Sequence, residues 1–403
     1  MPARRLLLIP LAPAIGFIAP KGLWILVMLT ALWGLWHVRP SIKELWSYNP
    51  WLWSLFLAGL ALSPLSLIPG HSAVVALRLL LLTLCGTAIA MAMMRLDIRQ
   101  RGTLALVTLG VATGIGAIAL VDMQTGGMLS IPWRKTVHID AWVVGIPYSR
   151  GAAFLALLLL PCAFAGWQGG WRRSSITIAF LALTVLSQHS SETAIGAVLL
   201  GGTAAAMIRV LPALWRLVPV ALATGLLLMP LLAPSQNSPA YCFFVERAPS
   251  MAHRTMIWTF TTGKIQEQPL IGYGLEAERI IEGGNDTIAM TRCHDGATLG
   301  HLEAMPLHPH NGPLHIWFDL GLVGAVLAAA ALFFALRRIP PGTPRVAATG
   351  GAVTAFVIAS LGYGLWQTWF VCALWLALLF LIPLQQENRT VPEDGNLDTA
   401  AAS

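Results

Sequence analysis

Charge is scarce in this chain: only 11% of its 403 residues are charged, 18 acidic against 25 basic. A soluble domain carries roughly 25% charged residues, so the shortage excludes a conventional water-soluble globule. With 56% of residues hydrophobic, a long disordered chain is excluded as well. Five cysteines are too few for a disulfide-built scaffold. Internal repeats and low-complexity tracts are missing, apart from a polar tail from about Gln385 that reads as disordered. No Gly-rich nucleotide loop occurs, so nothing points to ATP as an energy source.

What the chain has in abundance is apolar length, with a mean hydropathy of +0.70. Crossing a hydrocarbon core of ~30 Å takes roughly 20 apolar residues per helix. Runs of about that length lie near residues 6–20, 22–38, 51–70, 73–94, 103–121, 151–168, 175–188, 194–208, 216–233, 313–336, 346–363 and 365–384. The expected fold is all-α, a polytopic bundle of about twelve transmembrane helices. The run at 6–20 is short and proline-broken, so a re-entrant or tilted segment rivals a full span there. The first nine spans fall in residues 1–233, with a loop at about 122–149. A large loop occupies 234–312, the last three spans 313–384, and a tail 385–403. No cleavable signal peptide is expected, because the first apolar run lacks a small-residue cleavage site.

The net charge of +7 would suggest nucleic acid in a soluble protein, but here position matters more than the sum. With a cytoplasmic N-terminus, the inside set is Arg4, Arg5, Arg39, Lys43, Arg95, Arg99, Arg101, Arg172, Arg173, Arg209, Arg216, Arg337, Arg338, Arg345 and Arg389. That set is 15 of the 25 basic residues, all in short segments. Outside remain Lys21, Arg134, Lys135, Arg150, Arg247, Arg254, Lys264, Arg279 and Arg292, with Arg78 left inside a span. The basic residues therefore mark topology: both termini cytoplasmic, both long loops outward, no nucleic-acid partner.

The outward loop at 234–312 is the one sizeable stretch of mixed composition, and chemistry outside the membrane is expected there. Cys85, Cys162 and Cys372 lie in spans, whereas Cys242 and Cys293 share this loop, where an oxidising compartment allows a bridge. Sequence spacing leaves that disulfide open. His294, His301, His308 and His310 offer donor atoms, but their spacing matches no structural zinc pattern, and no metal is expected.

The segment His308-Pro309-His310-Asn311-Gly312-Pro313-Leu314-His315 leads into the tenth span. Pro313 suits the first helical turn, and Asn311 or Gly312 can cap it. His310 is thereby expected just outside a helix N-terminus, where free N–H groups favour anions and disfavour an imidazolium. A neutral histidine beside an anion has the properties of a general base, although an interfacial polar residue fits the same spacing. Gly321 and Gly324, about three turns deeper, would let another helix approach closely. Asp319 is expected to pair with a neighbouring helix, and His315 and Trp317 to pack at the interface.

His310-Asn311 followed by Gly321-x-x-Gly324 resembles the signature of the O-antigen ligase family, whose superfamily includes O-antigen polymerases and O-linked oligosaccharyltransferases. Arg254-x-x-x-Trp258, followed by Pro269-Leu270-Ile271-Gly272-Tyr273-Gly274, is similar to a segment of the family's large periplasmic loop. The specific motifs run from about 254 to 324, and the overall plan of spans agrees with the family across the chain.

The resemblance implies a bacterial inner-membrane enzyme with a periplasmic active site. Its donor is a glycan on undecaprenyl diphosphate, its acceptor is the lipid A-core oligosaccharide, and its transfer is inverting and metal-independent, with no cofactor. A diphosphate at a membrane surface needs permanent cations with paired donors, which arginine supplies. Arg254 matches the family's loop arginine and is assigned with His310 to catalysis; a loop salt bridge is its alternative. Arg150, at the outer end of a span, is the next diphosphate candidate, with snorkelling to lipid headgroups as the alternative. Arg78 either lines the lipid path or reaches the outer interface, since a mid-membrane arginine needs a cavity or a partner. Glu192 departs from the Ser-Arg pair many relatives carry; it is expected to partner an arginine or an acceptor hydroxyl. Asn311 completes the substrate set. A polymerase or oligosaccharyltransferase remains the alternative within the superfamily, and a flippase of lipid-linked sugars the alternative from another class.

Overall fold

The computed structural model describes residues 8–129, 141–189 and 191–381, with the side chains of 141–147 excluded. Arg4, Arg5, Arg134, Lys135, Arg389 and the polar tail lie outside the described residues. The architecture is all-α, as expected. Among the described residues the α-helices are α1 (Ala12–Ile18), α2 (Leu23–Val38), α3 (Ile42–Tyr48), α4 (Pro50–Leu62), α5 (Pro69–Met93), α6 (Ile98–Gln124), α7 (Ala141–Gln168), α8 (Arg172–Gln188), α9 (Glu192–Val210), α10 (Leu217–Leu232), α11 (Pro239–Arg247), α12 (Pro249–Glu267), α13 (Gly312–Arg337), α14 (Thr343–Leu361) and α15 (Thr368–Leu379).

Every expected span has a helix, but their lengths differ. Among the described residues, eight helical segments are long and apolar enough to cross a membrane: Pro20–Val38, Pro69–Met93, Ile98–Gln124, Tyr148–Gln168, Glu192–Val210, Pro212–Leu232, Gly312–Arg337 and Thr343–Leu361. The other four are short: Leu8–Ile18, Pro50–Leu65, Thr368–Leu379 and the 17-residue α8. At 1.5 Å rise per residue, the 12 residues of α15 reach only about 18 Å, which refines the expectation of twelve full-length spans.

Helices pair along small-residue faces, α6 against α7 and α9 against α14, while α13 packs on α10 and α4. Large apolar side chains such as Leu32, Trp36, Phe180, Leu199 and Leu231 remain outside this core. Such a perimeter would be an aggregation liability in water and is what a lipid-facing surface requires.

The 234–312 region is structured. Helices α11 and α12 form a hairpin, and strands β1 (Thr287–Thr291) and β2 (Thr298–Glu303) pair antiparallel, with Ala289 opposite His301. Tyr241, Val245, Ala252, Met256 and Met290 give this region its own small core. Cys242 is disulfide-bonded to Cys293, closing a separation of 51 residues.

The tenth expected span is broken. Gly321 has φ 58° and ψ −154°, so the helical hydrogen-bond ladder of α13 is interrupted there. The Pro269–Gly274 segment fills the gap: Leu322 and Val323 N–H donate to the Pro269 and Leu270 carbonyls at 2.8 and 3.2 Å. In return, Tyr273 and Gly274 N–H donate to the Phe318 and Asp319 carbonyls at 2.9 and 2.8 Å. Gly321 thus admits an extended chain, correcting the expectation of a second helix. Only a residue without Cβ tolerates both this φ and the Leu270 backbone against it. Two motifs some fifty residues apart in sequence become one joint.

Candidate functional site

The turn before α13 carries the site. Asn311 caps the helix, its side-chain oxygen accepting from Leu314 N–H at 3.1 Å, with Pro313 in the first turn. Asn311 is only 3% exposed, so its oxygen is committed to the cap, and the residue serves to position its neighbour. That neighbour, His310, has φ 52°, a left-handed conformation that costs a non-glycine residue of order 1–3 kcal/mol. The conformation is held from both sides: Trp258 Nε1 donates to the Pro309 carbonyl at 3.0 Å, and His310 N–H donates to His308 Nδ1 at 3.3 Å. Trp258 and Arg254 are one helical turn apart on α12, so the residue that clamps the turn and the arginine beside it share a face.

His310 Nδ1 donates to the Gly362 carbonyl at 2.8 Å. That bond fixes the neutral tautomer, leaving Nε2 with its lone pair and no hydrogen-bond partner among the described residues. Burial lowers the imidazole pKa from its usual value to about 4; Arg254, His253 and His315 push the same way, against the Gly362 hydrogen bond. Burial likewise lowers His308, whose ring lies 4.2 Å from that of His310.

Arg254 acts on His310, and a second arginine and a phenol are linked to Arg254. Arg254 is half-buried and contacts Met251 Sδ at 3.1 Å, with no ion pair among the described residues. Burial lowers its pKa, while Tyr363 and Glu192 act electrostatically in the opposite sense. Arg150, ten residues into α7, also lacks an ion pair among the described residues, and with Arg254 it acts on Tyr363. The Tyr363 hydroxyl is hydrogen-bonded to Ser149. Glu192, exposed at the start of α9, balances Arg254 at a distance without a direct bond. Of the expected set, Arg254 acts on His310, Glu192 on Arg254, and Arg150 with Arg254 on Tyr363 of the 362–367 turn.

Arg78 lies with a different group. Its guanidinium donates to Glu276 Oε1 at 2.7 Å and to the Trp366 carbonyl at 3.4 Å. Glu276, itself at φ 60°, also binds His71 and Arg279 at 3.0 and 3.1 Å. Burial alone would raise the Glu276 carboxyl, but the His71 and Arg78 hydrogen bonds and the nearby positive charges hold it below its usual range. Arg78 thus ties the large loop to α5, and it borders a cavity of about 240 Å³ lined with Trp24, Met28, Leu81, Leu82 and Thr368.

Beneath this lies a fully buried cluster of Glu278, His315 and Asp319. His315 is no interfacial packing residue: its Nε2 donates to Glu278 Oε1 at 3.1 Å and lies 3.4 Å from Asp319. Asp319 accepts from Trp366 Nε1 and from Glu276 N–H, pairing with a turn and a loop where a helix was expected. Three such side chains resemble a cation site, yet the hydrogen bonds argue against one. Leu365 N–H donates to His315 Nδ1 at 3.2 Å, so in the neutral ring Nε2 carries the hydrogen and has no lone pair for a metal. The donor set fits a hydrogen-bonded clasp.

The 362–367 turn joins the two groups. It supplies Gly362 to His310, Tyr363 to the arginines, Leu365 to His315 and Trp366 to Asp319 and Arg78. Sequence reading passed over this turn as the seam between two apolar runs. The paired glycines of Gly362-Tyr363-Gly364 were the signal available.

Comparison with known proteins finds similarity to one family. Residues 177–329 match the family described as O-antigen ligase, a segment that contains Glu192, Arg254 and His310. A protein of Rickettsia prowazekii, provisionally named a polysaccharide ligase, is 26% identical over 280 residues, or 67% of this chain and 65% of its own length. A provisionally named polysaccharide ligase of Rickettsia felis is 28% identical with the same coverage. A third such protein, from Rickettsia conorii, is 28% identical over 239 residues, covering 57% of this chain and 56% of its own length. The resemblance read from the motifs and the matched family are the same.

Proposed function

We propose that this chain transfers a glycan from a lipid diphosphate to a sugar hydroxyl at the outer face of the bacterial inner membrane, a reading supported by the match of residues 177–329 to the O-antigen ligase family. The observation that carries this reading is a neutral, oriented His310 acted on by Arg254, which together with Arg150 acts on Tyr363, both arginines lacking carboxylate ion pairs among the described residues. The donor is undecaprenyl-diphosphate-linked O-antigen and the acceptor the lipid A-core oligosaccharide.

The chemistry follows from the tautomer. His310 Nε2 takes the proton from an acceptor hydroxyl as that oxygen bonds to the anomeric carbon of the donor sugar. The carbon–oxygen bond to the diphosphate breaks on the opposite face, so a single displacement inverts the anomeric configuration. Undecaprenyl diphosphate leaves with the electron pair, its charge met by Arg254 and Arg150, which do the neutralising a divalent ion does elsewhere. Asn311 keeps His310 in place through the cap, and Glu192 balances Arg254 until the anion arrives. Arg78 anchors the large loop to α5 through Glu276.

A strain lacking the chain tests this reading. It should display lipopolysaccharide with a bare core while polymerised lipid-linked glycan accumulates on the outer leaflet. Accumulation on the cytoplasmic side would instead indicate a flippase, and unpolymerised units outside would indicate a polymerase.

A further inference from the structure

We propose that Tyr363 is a further substrate-contacting residue, its hydroxyl donating a hydrogen bond to the phosphate of the donor between Arg150 and Arg254. The inference deepens the reading above and rests on it.

Tyr363 is set by the same turn that sets the base. The residue before it, Gly362, receives the His310 Nδ1–H at 2.8 Å, so phenol and imidazole are fixed relative to each other by one peptide unit. Its ring meets Trp369 edge-on, centroids 4.7 Å apart, and Phe370 at 5.9 Å. Those contacts leave the side chain little rotational freedom. Ser149, Arg150 and Arg254 are the polar groups acting on the phenol, and no carboxylate is among them. A tyrosine oxygen on which two guanidinium groups act is positioned for an anion they share. Burial raises the phenol above its usual pKa despite Ser149 and the arginines, so at neutral pH the hydroxyl keeps its proton. It is therefore a donor and cannot compete with His310 as a base.

A simpler role would be structural, the hydroxyl tying the turn to α7 through Ser149. The two roles separate experimentally. Tyr363→Phe keeps the ring and removes the donor, whereas Ser149→Ala removes only the tie. The probe is farnesyl diphosphate, titrated into the purified full chain, with farnesol to measure apolar binding. A hydrogen bond to a charged group is worth roughly 1.5–3 kcal/mol, so Tyr363→Phe should weaken farnesyl diphosphate binding about tenfold or more. Ser149→Ala should change it by less than about twofold, and farnesol binding should be the same in all variants. Equal weakening by both variants, or none by Tyr363→Phe while Arg254→Ala binds poorly, would overturn the role of Tyr363 and leave the arginine site standing. Normal binding in Arg254→Ala would overturn the parent reading instead. If Tyr363→Phe does not fold, 3-fluorotyrosine at position 363 serves. Its fluorine resonance should move on adding farnesyl diphosphate and not farnesol, and an unmoved resonance would end the proposal.

Discussion

At the scale of the residue, His310 combines three properties that a general base needs: a fixed tautomer, a free Nε2 and an environment that keeps it neutral. With its pKa lowered to about 4, chiefly by burial, the imidazole is unprotonated through the neutral range. The sign follows: protonation removes the lone pair, so activity is lost as pH falls through the pKa of the folded state. For the free enzyme, kcat/KM should stay level on the acid side to about pH 5 and fall below it. An acid limb near the ordinary histidine value of about 6.5 would mean that His310 is exposed or that another group is the base. The same depression makes folding less favourable as pH drops from about 6.5 toward 4, so stability should be measured alongside. His310 was legible in sequence because its signals are local, with Asn311 and Pro313 marking a helix start beside it. Tyr363 was not, because nothing near it in sequence announces Ser149, Arg150 or Arg254; its meaning comes from the contact of three distant segments.

At the scale of the element, the determining feature is the joint between the broken α13 and Pro269–Gly274. The sequence pattern marked both partners and misread their relation. Two glycines three residues apart suggest helix-on-helix packing, while the positive φ of Gly321 and the extended course of the loop appear only in three dimensions. Gly321→Ala should destabilise the protein by more than ~1–2 kcal/mol, since it adds left-handed strain to a clash with the Leu270 backbone. Gly110→Ala is the control: Gly110 is helical within α6, and a Cβ there meets nothing within 4 Å. Thermal unfolding in detergent should show a clear drop in Tm for the first variant and none for the second. Equal Tm values would contradict the joint. The Asp319 clasp belongs to the same scale. An intramembrane acid was readable from hydropathy alone, but its partners Trp366 and Glu276 lie on a turn and a loop that periodicity does not place.

At the scale of the molecule, composition specified the class of fold. A chain with 11% charge and long apolar runs has to satisfy its backbone within helices. The division into twelve apolar segments matched helices one for one, yet hydropathy did not separate the eight full-length segments from the four short ones. Nor did it reveal that α11, α12 and the β-hairpin make the large loop a folded unit. The proposed function requires a membrane-embedded frame to hold a base and two arginines where a lipid diphosphate and a sugar hydroxyl meet. The most direct test is the rate of glycan transfer in proteoliposomes supplied with undecaprenyl-diphosphate-linked O-antigen and lipid A-core, comparing the natural chain with His310→Ala. The natural chain should form the joined product without added metal. His310→Ala, inserted and folded normally, should be slower by roughly 10²–10⁴-fold, the usual contribution of a general base. Transfer at the full rate by His310→Ala would contradict the account.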